Sequence, residues 1–213
     1  MTYAAETALI LVLLSVLASF AAGRIPALIK IVAFQGIVVS LIPLAIGHEL
    51  TAGSLVFTGA TLLIRGIVIP VAIFWAIKKV QIRQEVEPIV GTALSIIAAL
   101  LLLVAAFYVS GRLDLTTVGG SELLLPTAIT LLVAGMFLLM ARRNAIAMVL
   151  GYMMMENGIY LGGTTLSTRA HHIVEFGILL DVLAGVMLMA VILQNIKRTI
   201  DDVDTSLLRT LKD

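Results

Sequence analysis

Seven long apolar runs, parted by short polar breaks, set the pattern of this chain: 4–22, 27–46, 56–77, 89–109, 123–141, 145–162 and 173–196. Each holds roughly 18–24 residues, enough to cross a hydrocarbon layer of about 30 Å at about 1.5 Å per residue. A strand reading fails, because the runs are too long and lack the alternation of a membrane β-barrel. Pro26, Pro88 and Pro126 stand at run starts, where a missing N–H costs nothing. The pattern predicts an all-α, polytopic bundle of about seven transmembrane helices. It forms a single transmembrane domain over residues 1–198, followed by a tail over 199–213.

Composition strengthens this picture. The 213 residues are 61% hydrophobic and 13% charged, with a mean hydropathy of +1.13. A soluble domain is about half apolar and about a quarter charged. So large an apolar excess needs lipid to cover it. The first run is predicted to be a retained helix rather than a signal peptide. Only Glu6 precedes its apolar stretch and Arg24 follows it, which reverses the charge order of a signal.

The basic residues set the expected orientation. Arg24, Lys30, Lys78, Lys79, Arg83, Arg142, Arg143, Lys197, Arg198, Arg209 and Lys212 fall on one side of the seven spans, and Arg112 and Arg169 on the other. This asymmetry predicts the N-terminus outside and the C-terminus in the cytoplasm.

Charges within the spans carry the candidate chemistry, because they are costly there and usually functional. Arg65 in the third span, Glu156 in the sixth and Asp181 in the seventh sit at similar depths, roughly 9–14 Å from the outer edge. They are the expected proton relay. Glu175 lies nearer the outer interface. Tyr152 and Tyr160 flank Glu156 at i−4 and i+4, which puts two phenols beside the carboxylate. Gln35 in the second span is expected to join the row. Gly177 and Gly185 share a face with Asp181 and suit close approach of another helix. Pro70 breaks the helical ladder at the carbonyl of Gly66, beside Arg65, and predicts a kink there. Burial favours a neutral acid and a nearby arginine favours its carboxylate, so small movements can switch protonation. The alternative is that Arg65 simply pairs with Glu156 or Asp181 to lock the bundle.

No resident redox or metal centre is expected. The chain has no cysteine, which removes thiolate and iron–sulfur sites. His48, His171 and His172 offer no helix-spaced pair, and His171 and His172 read as polar loop residues. No cofactor is expected, nor any nucleic-acid partner.

Particular motifs add a resemblance. The stretch Arg142-Arg143-Asn144-Ala-Ile-Ala-Met-Val-Leu-Gly151-Tyr-Met-Met-Met-Glu156-Asn157-Gly158 resembles hydrogenase-4 component E. So do Glu175-Phe-Gly-Ile-Leu-Leu-Asp181, the Leu193-Gln194 end of the last span, Arg65 before Ile-Val-Ile-Pro70, and Gln35 in Ala-Phe-Gln-Gly. The last three spans further resemble complex I subunit K and the C subunit of Mrp-type antiporters. In subunit K the corresponding acids match Met153 and Ala184. Here Glu156 and Asp181 lie three residues away, nearly one turn, and both shifts run toward the same outer loop. The coordinated shift suggests that the two acids act as a pair.

The resemblance implies a non-redox subunit of a membrane-bound oxidoreductase complex in a prokaryotic cell membrane. Its implied partners are antiporter-like membrane subunits and a cytoplasmic [NiFe]-hydrogenase-like redox arm. The alternatives are an Mrp-type antiporter subunit and a structural membrane scaffold. The tail Asp201-Asp202-Val-Asp204, followed by Leu207, Leu208 and Leu211, suits a short helix docking on a cytoplasmic neighbour. Spans one to three and five to seven share orientation and similar polar placements, as a parallel internal repeat would.

Overall fold

The first two apolar runs form a helical hairpin in a computed structural model that describes residues 3–46, 52–80, 91–113, 121–142, 144–166, 185–187 and 189–190. Helix α1 spans Tyr3–Ala21 and α2 spans Ile25–Ala45. Arg24 holds the turn in an extended conformation, with φ −129° and ψ 136°. Pro26 follows in the first turn, where its preset φ favours helix entry. The Arg24 carbonyl accepts the amides of Ala27 and Leu28 at 3.1 and 3.2 Å.

The third run is one helical rod in three parts: α3 (Ala52–Leu63), a π turn (Ile64–Val68) and α4 (Ile69–Val80). Proline explains the change of winding. Pro70 cannot donate to the carbonyl of Gly66, and its ring crowds that oxygen. The backbone widens instead, and the Ile69 amide reaches back five residues to the Ile64 carbonyl. The predicted kink at Pro70 is therefore a π turn that contains Arg65.

Three more helices follow: α5 (Thr92–Arg112), α6 (Leu124–Ala141) and α7 (Ala145–Leu166). Asn144 starts α7 as a capping residue. Its Oδ1 accepts the Ile146 amide at 3.0 Å and its carbonyl accepts the Met148 amide at 3.0 Å. Among the described residues, five helical stretches are long and apolar enough to cross a membrane: Tyr3–Ala21, Ile25–Ala45, Thr58–Trp75, Thr92–Arg112 and Leu124–Ala141. Helix α7 has the length, at 22 residues, but carries Glu156 and Asn157 within its apolar sequence. Of the seventh run, 185–187 and 189–190 are described, all helical. The chain is thus an all-helical membrane bundle, with no strand among the described residues.

Two hairpins make its centre. α1 packs on α2 and α6 on α7, while α2 lies against α7 and α1 against α6, closing a four-helix ring. Leu9, Val12 and Val16 of α1 meet Leu28, Val32 and Val39 of α2, Leu131 and Leu138 of α6, and Leu150 and Met154 of α7 in a shared core. Helix α5 lies in the outer groove between α1 and α6, and the α3–α4 rod lies on α2. Both outer elements expose large apolar side chains, including Leu63, Ile67, Val71 and Trp75 on the rod and Ile97, Leu101 and Val104 on α5. Such faces suit acyl chains or neighbouring membrane subunits.

The α6–α7 contact is backbone on backbone. A Cβ on Gly151 would stand 2.7 Å from the Leu139 nitrogen and 3.1 Å from the Gly135 carbonyl oxygen. A Cβ on Gly158 would stand 2.9 Å from the Ala128 carbonyl oxygen. Only glycine permits this approach, the usual device of close helix pairs in membranes. The three-residue connection between α6 and α7 also differs from its sequence reading. Arg142, counted there among loop cations, is buried, and its Nη2 donates to the Phe20 carbonyl at 3.5 Å. It thereby joins the end of α1 to the end of α6, as a cation near a helix C-terminus does favourably. Burial pushes its guanidinium down from the ordinary arginine value, which is high enough that the charge is kept.

Candidate functional site

Arg65 is the largest fully buried side chain among the described residues, with 1% of its surface exposed. Its backbone sits in the π turn, pressed against α2. A Cβ on Gly36 would lie 3.2 Å from the Arg65 Cβ, and one on Gly66 would lie 2.7 Å from Ile37 Cγ1. The absence of a side chain at Gly36 thus lets the turn approach α2, and the arginine reaches past it to α7.

On α7 it meets an acid. Arg65 Nη2 donates to Glu156 Oε1 at 2.5 Å, and both side chains are almost wholly buried. Arg65 Nη1 donates to Asn157 Oδ1 at 3.4 Å. The guanidinium carbon also lies 4.8 Å from the centre of the Tyr160 ring, within cation–π range. One charge is therefore held by a carboxylate, an amide oxygen and an aromatic face. Satisfied on several sides, such a pair is tolerable in a low-dielectric interior.

The structure brings together three of the seven residues singled out from sequence. Arg65, Glu156 and Tyr160 form one cluster. Tyr152 is buried one turn before Glu156 on the same helix. Gln35 is fully buried but turns toward α1, where its Nε2 donates to Ser19 Oγ at 3.5 Å. Asp181, Glu175 and Gly177 lie outside the described residues, as do His48, His171 and His172. Gly185 is exposed, with nothing near enough to meet an added Cβ among the described residues. The close helix contact expected at Gly185 is therefore absent from the described part of this chain.

Sequence reasoning missed three members. Asn157 stands next to Glu156 and was quoted in a motif without a role; an amide in an apolar helix is itself a signal. Ser15 and Ser19 share a face of α1 at i and i+4 and are both buried. The Ser19 hydroxyl donates to the Ser15 carbonyl at 2.9 Å, and the Ser15 hydroxyl to the Val12 carbonyl at 2.5 Å. Among the described residues no group of three or more His, Cys, Asp or Glu could hold a metal ion.

Residues 123–213 match the family described as NADH-ubiquinone/plastoquinone oxidoreductase chain 4L. An uncharacterized protein of Mycobacterium tuberculosis is 29% identical over 93% of this chain and 97% of its own length. Hydrogenase-4 component E of Escherichia coli K12 is 28% identical over 74% of this chain and 73% of its own length, and that of Shigella flexneri matches equally. No solved structure matches the chain. The part bearing Glu156 is thus similar to the chain 4L family, which is complex I subunit K-like, and the chain over most of its length is similar to hydrogenase-4 component E.

Proposed function

We propose that this chain is a membrane subunit of a complex I-like energy-converting complex, of the hydrogenase-4 or formate-hydrogenlyase type. In this reading it supplies intramembrane charges to a proton or Na⁺ relay driven by redox chemistry in a partner arm. The observation that carries the reading is the buried Arg65–Glu156 pair, set at a π turn and joined by Asn157 and Tyr160. A pair of this kind can exist closed and charged, or open with the acid protonated, and a change in a neighbouring subunit can bias the balance. Asp181 would be the next carrier, with Gln35, Glu175 and Tyr152 serving access. The chain itself would hold no metal, cluster or flavin. The acidic tail over 199–213 would dock on a cytoplasmic neighbour, with the N-terminus outside a prokaryotic cell membrane.

The similarity to hydrogenase-4 component E supports this assignment over a stand-alone carrier. One observation favours a second reading. The pair is closed at 2.5 Å and buried on both sides, as a purely architectural lock would be. Replacing Glu156 by Gln separates the two. An amide can still accept from Arg65, so assembly should persist, but it cannot carry a proton reversibly. Redox turnover and proton translocation, measured together on the complex in vesicles, should then uncouple or fall. Wild-type values for both would leave Glu156 with the architectural role. An Mrp-type antiporter subunit would be expected beside a run of antiporter genes without hydrogenase subunits.

A further inference from the structure

The hydroxyls of α1 fix which way the Gln35 amide faces. The Ser19 hydroxyl proton is committed to the Ser15 carbonyl at 2.9 Å, and that of Ser15 to the Val12 carbonyl at 2.5 Å. Ser19 Oγ can therefore only accept from Gln35, and the partner it takes at 3.5 Å is Nε2. Hydrogen-bond logic thus assigns the amide orientation, with the NH₂ group toward α1 and the carbonyl oxygen away from it. That oxygen, Gln35 Oε1, is buried with no hydrogen-bond partner among the described residues.

An orphaned buried carbonyl is costly and is usually answered by an ordered water. Its place is central. Helix α2 packs against α1, α7 and the π turn, and the next residue, Gly36, is the one that meets Arg65. The Arg65 carbonyl oxygen stands 3.6 Å from a Cβ built on Gly36, a polar group beside this stretch of α2, and a buried water needs such partners.

We propose that Gln35 Oε1 holds a buried water at the centre of the bundle. This water would stand beside α1 at Ser19, on the stretch of α2 whose next residue, Gly36, meets Arg65. Its use as a route for protons rests on the relay reading above; the hydration itself does not. In such a route Gln35 would only orient the water through its carbonyl and take up no proton itself.

The chain has no cysteine, so a single introduced thiol reports on its own site. Thiols react with Ag⁺ as thiolates, and a thiolate forms readily only where water or a cation stabilises it. Ser19→Cys would place a nearly isosteric thiol beside Gln35, and Val16→Cys, buried on the same helix, is the dry control. The full-length chain would be treated with Ag⁺ in its native membrane, in right-side-out and inverted vesicles. Blocked thiol would then be scored by later labelling in denaturant. Ser19→Cys should react at least about 10-fold faster than Val16→Cys. Adding Gln35→Met, which keeps length and removes the carbonyl, should bring the rate down to the control level. Gln35→Leu serves where the Met variant does not accumulate. Equal slow rates for Ser19→Cys and Val16→Cys would overturn the proposal. So would a fast Ser19→Cys rate unchanged by loss of the Gln35 carbonyl, since the water would then not be held there. The assay needs no redox turnover, so failure of the relay at Glu156→Gln and failure of the water are read separately.

Discussion

Removing Arg65 tests whether the buried pair holds the rod to the ring. Two unit charges about 4 Å apart attract by about 4 kcal/mol at an effective dielectric of about 20. Desolvating them costs a comparable amount, so the intact pair contributes little net stability. Deleting one partner is different: the attraction goes and the desolvation stays, a loss of about 3–5 kcal/mol. Arg65→Met, which keeps the length, should therefore destabilise strongly, because Glu156 must remain buried and unpaired or take up a proton. Glu156→Gln should cost less, because its amide oxygen still accepts from the guanidinium. Arg65→Met combined with Glu156→Gln should be more stable than the sum of the single losses, by about 1–3 kcal/mol. Stability would be followed as the temperature midpoint for loss of protease protection of the full chain in its native membrane. Additivity within about 0.5 kcal/mol would show that the two side chains do not act on each other and would refute the reasoning.

The remaining predictions are simpler. Gly151→Leu should separate α6 from α7 and lower the accumulated level of the chain sharply, since backbone rather than a pliable side chain blocks the new atoms; quantitative immunoblotting of membranes reads it. Gly36→Leu should push the π turn off α2 and lower ion-coupled activity more than abundance, because Arg65 then sits wrongly against α7; activity normalised to protein level separates these. Arg142→Met should cost about 1–2 kcal/mol by freeing the Phe20 carbonyl, seen as a lower thermal midpoint. Reporter fusions after Lys79, Arg143 and Arg198 should read as cytoplasmic, and those near Arg112 and Arg169 should not.

The helical runs were legible because membrane hydropathy is a one-dimensional signal. The third run was predicted from residue 56 and observed from residue 52. The juxtaposition of Arg65 with Glu156 was legible too, since equal depth on separate helices is a matter of counting residues. The π turn was only half legible. Pro70 announces a broken ladder, but not the close approach of the turn to α2 at Gly36, which is a contact between residues far apart in sequence. The contact of the Gln35 amide with Ser19 of α1 was not legible, because depth does not fix rotation about the helix axis. Arg142 shows the converse failure: a cation beside a loop looks solvated until tertiary packing closes α1 over it. The two buried serines escaped notice because small hydroxyls barely alter hydropathy.

The glycine contact between α6 and α7 divides the site into an anvil and a hammer. Glu156 stands on a helix whose backbone is wedged against its neighbour at Gly151 and Gly158. Arg65 stands on a rod that packs on α2 and carries an irregular turn within it. Any opening of the pair therefore falls to the arginine's rod, while the acid keeps its place. A neighbouring subunit that pulled on the exposed face of α3 and α4 could free the acid without touching it. Spin labels across α6 and α7 would then hold a constant separation through turnover, and labels across α4 and α7 would not.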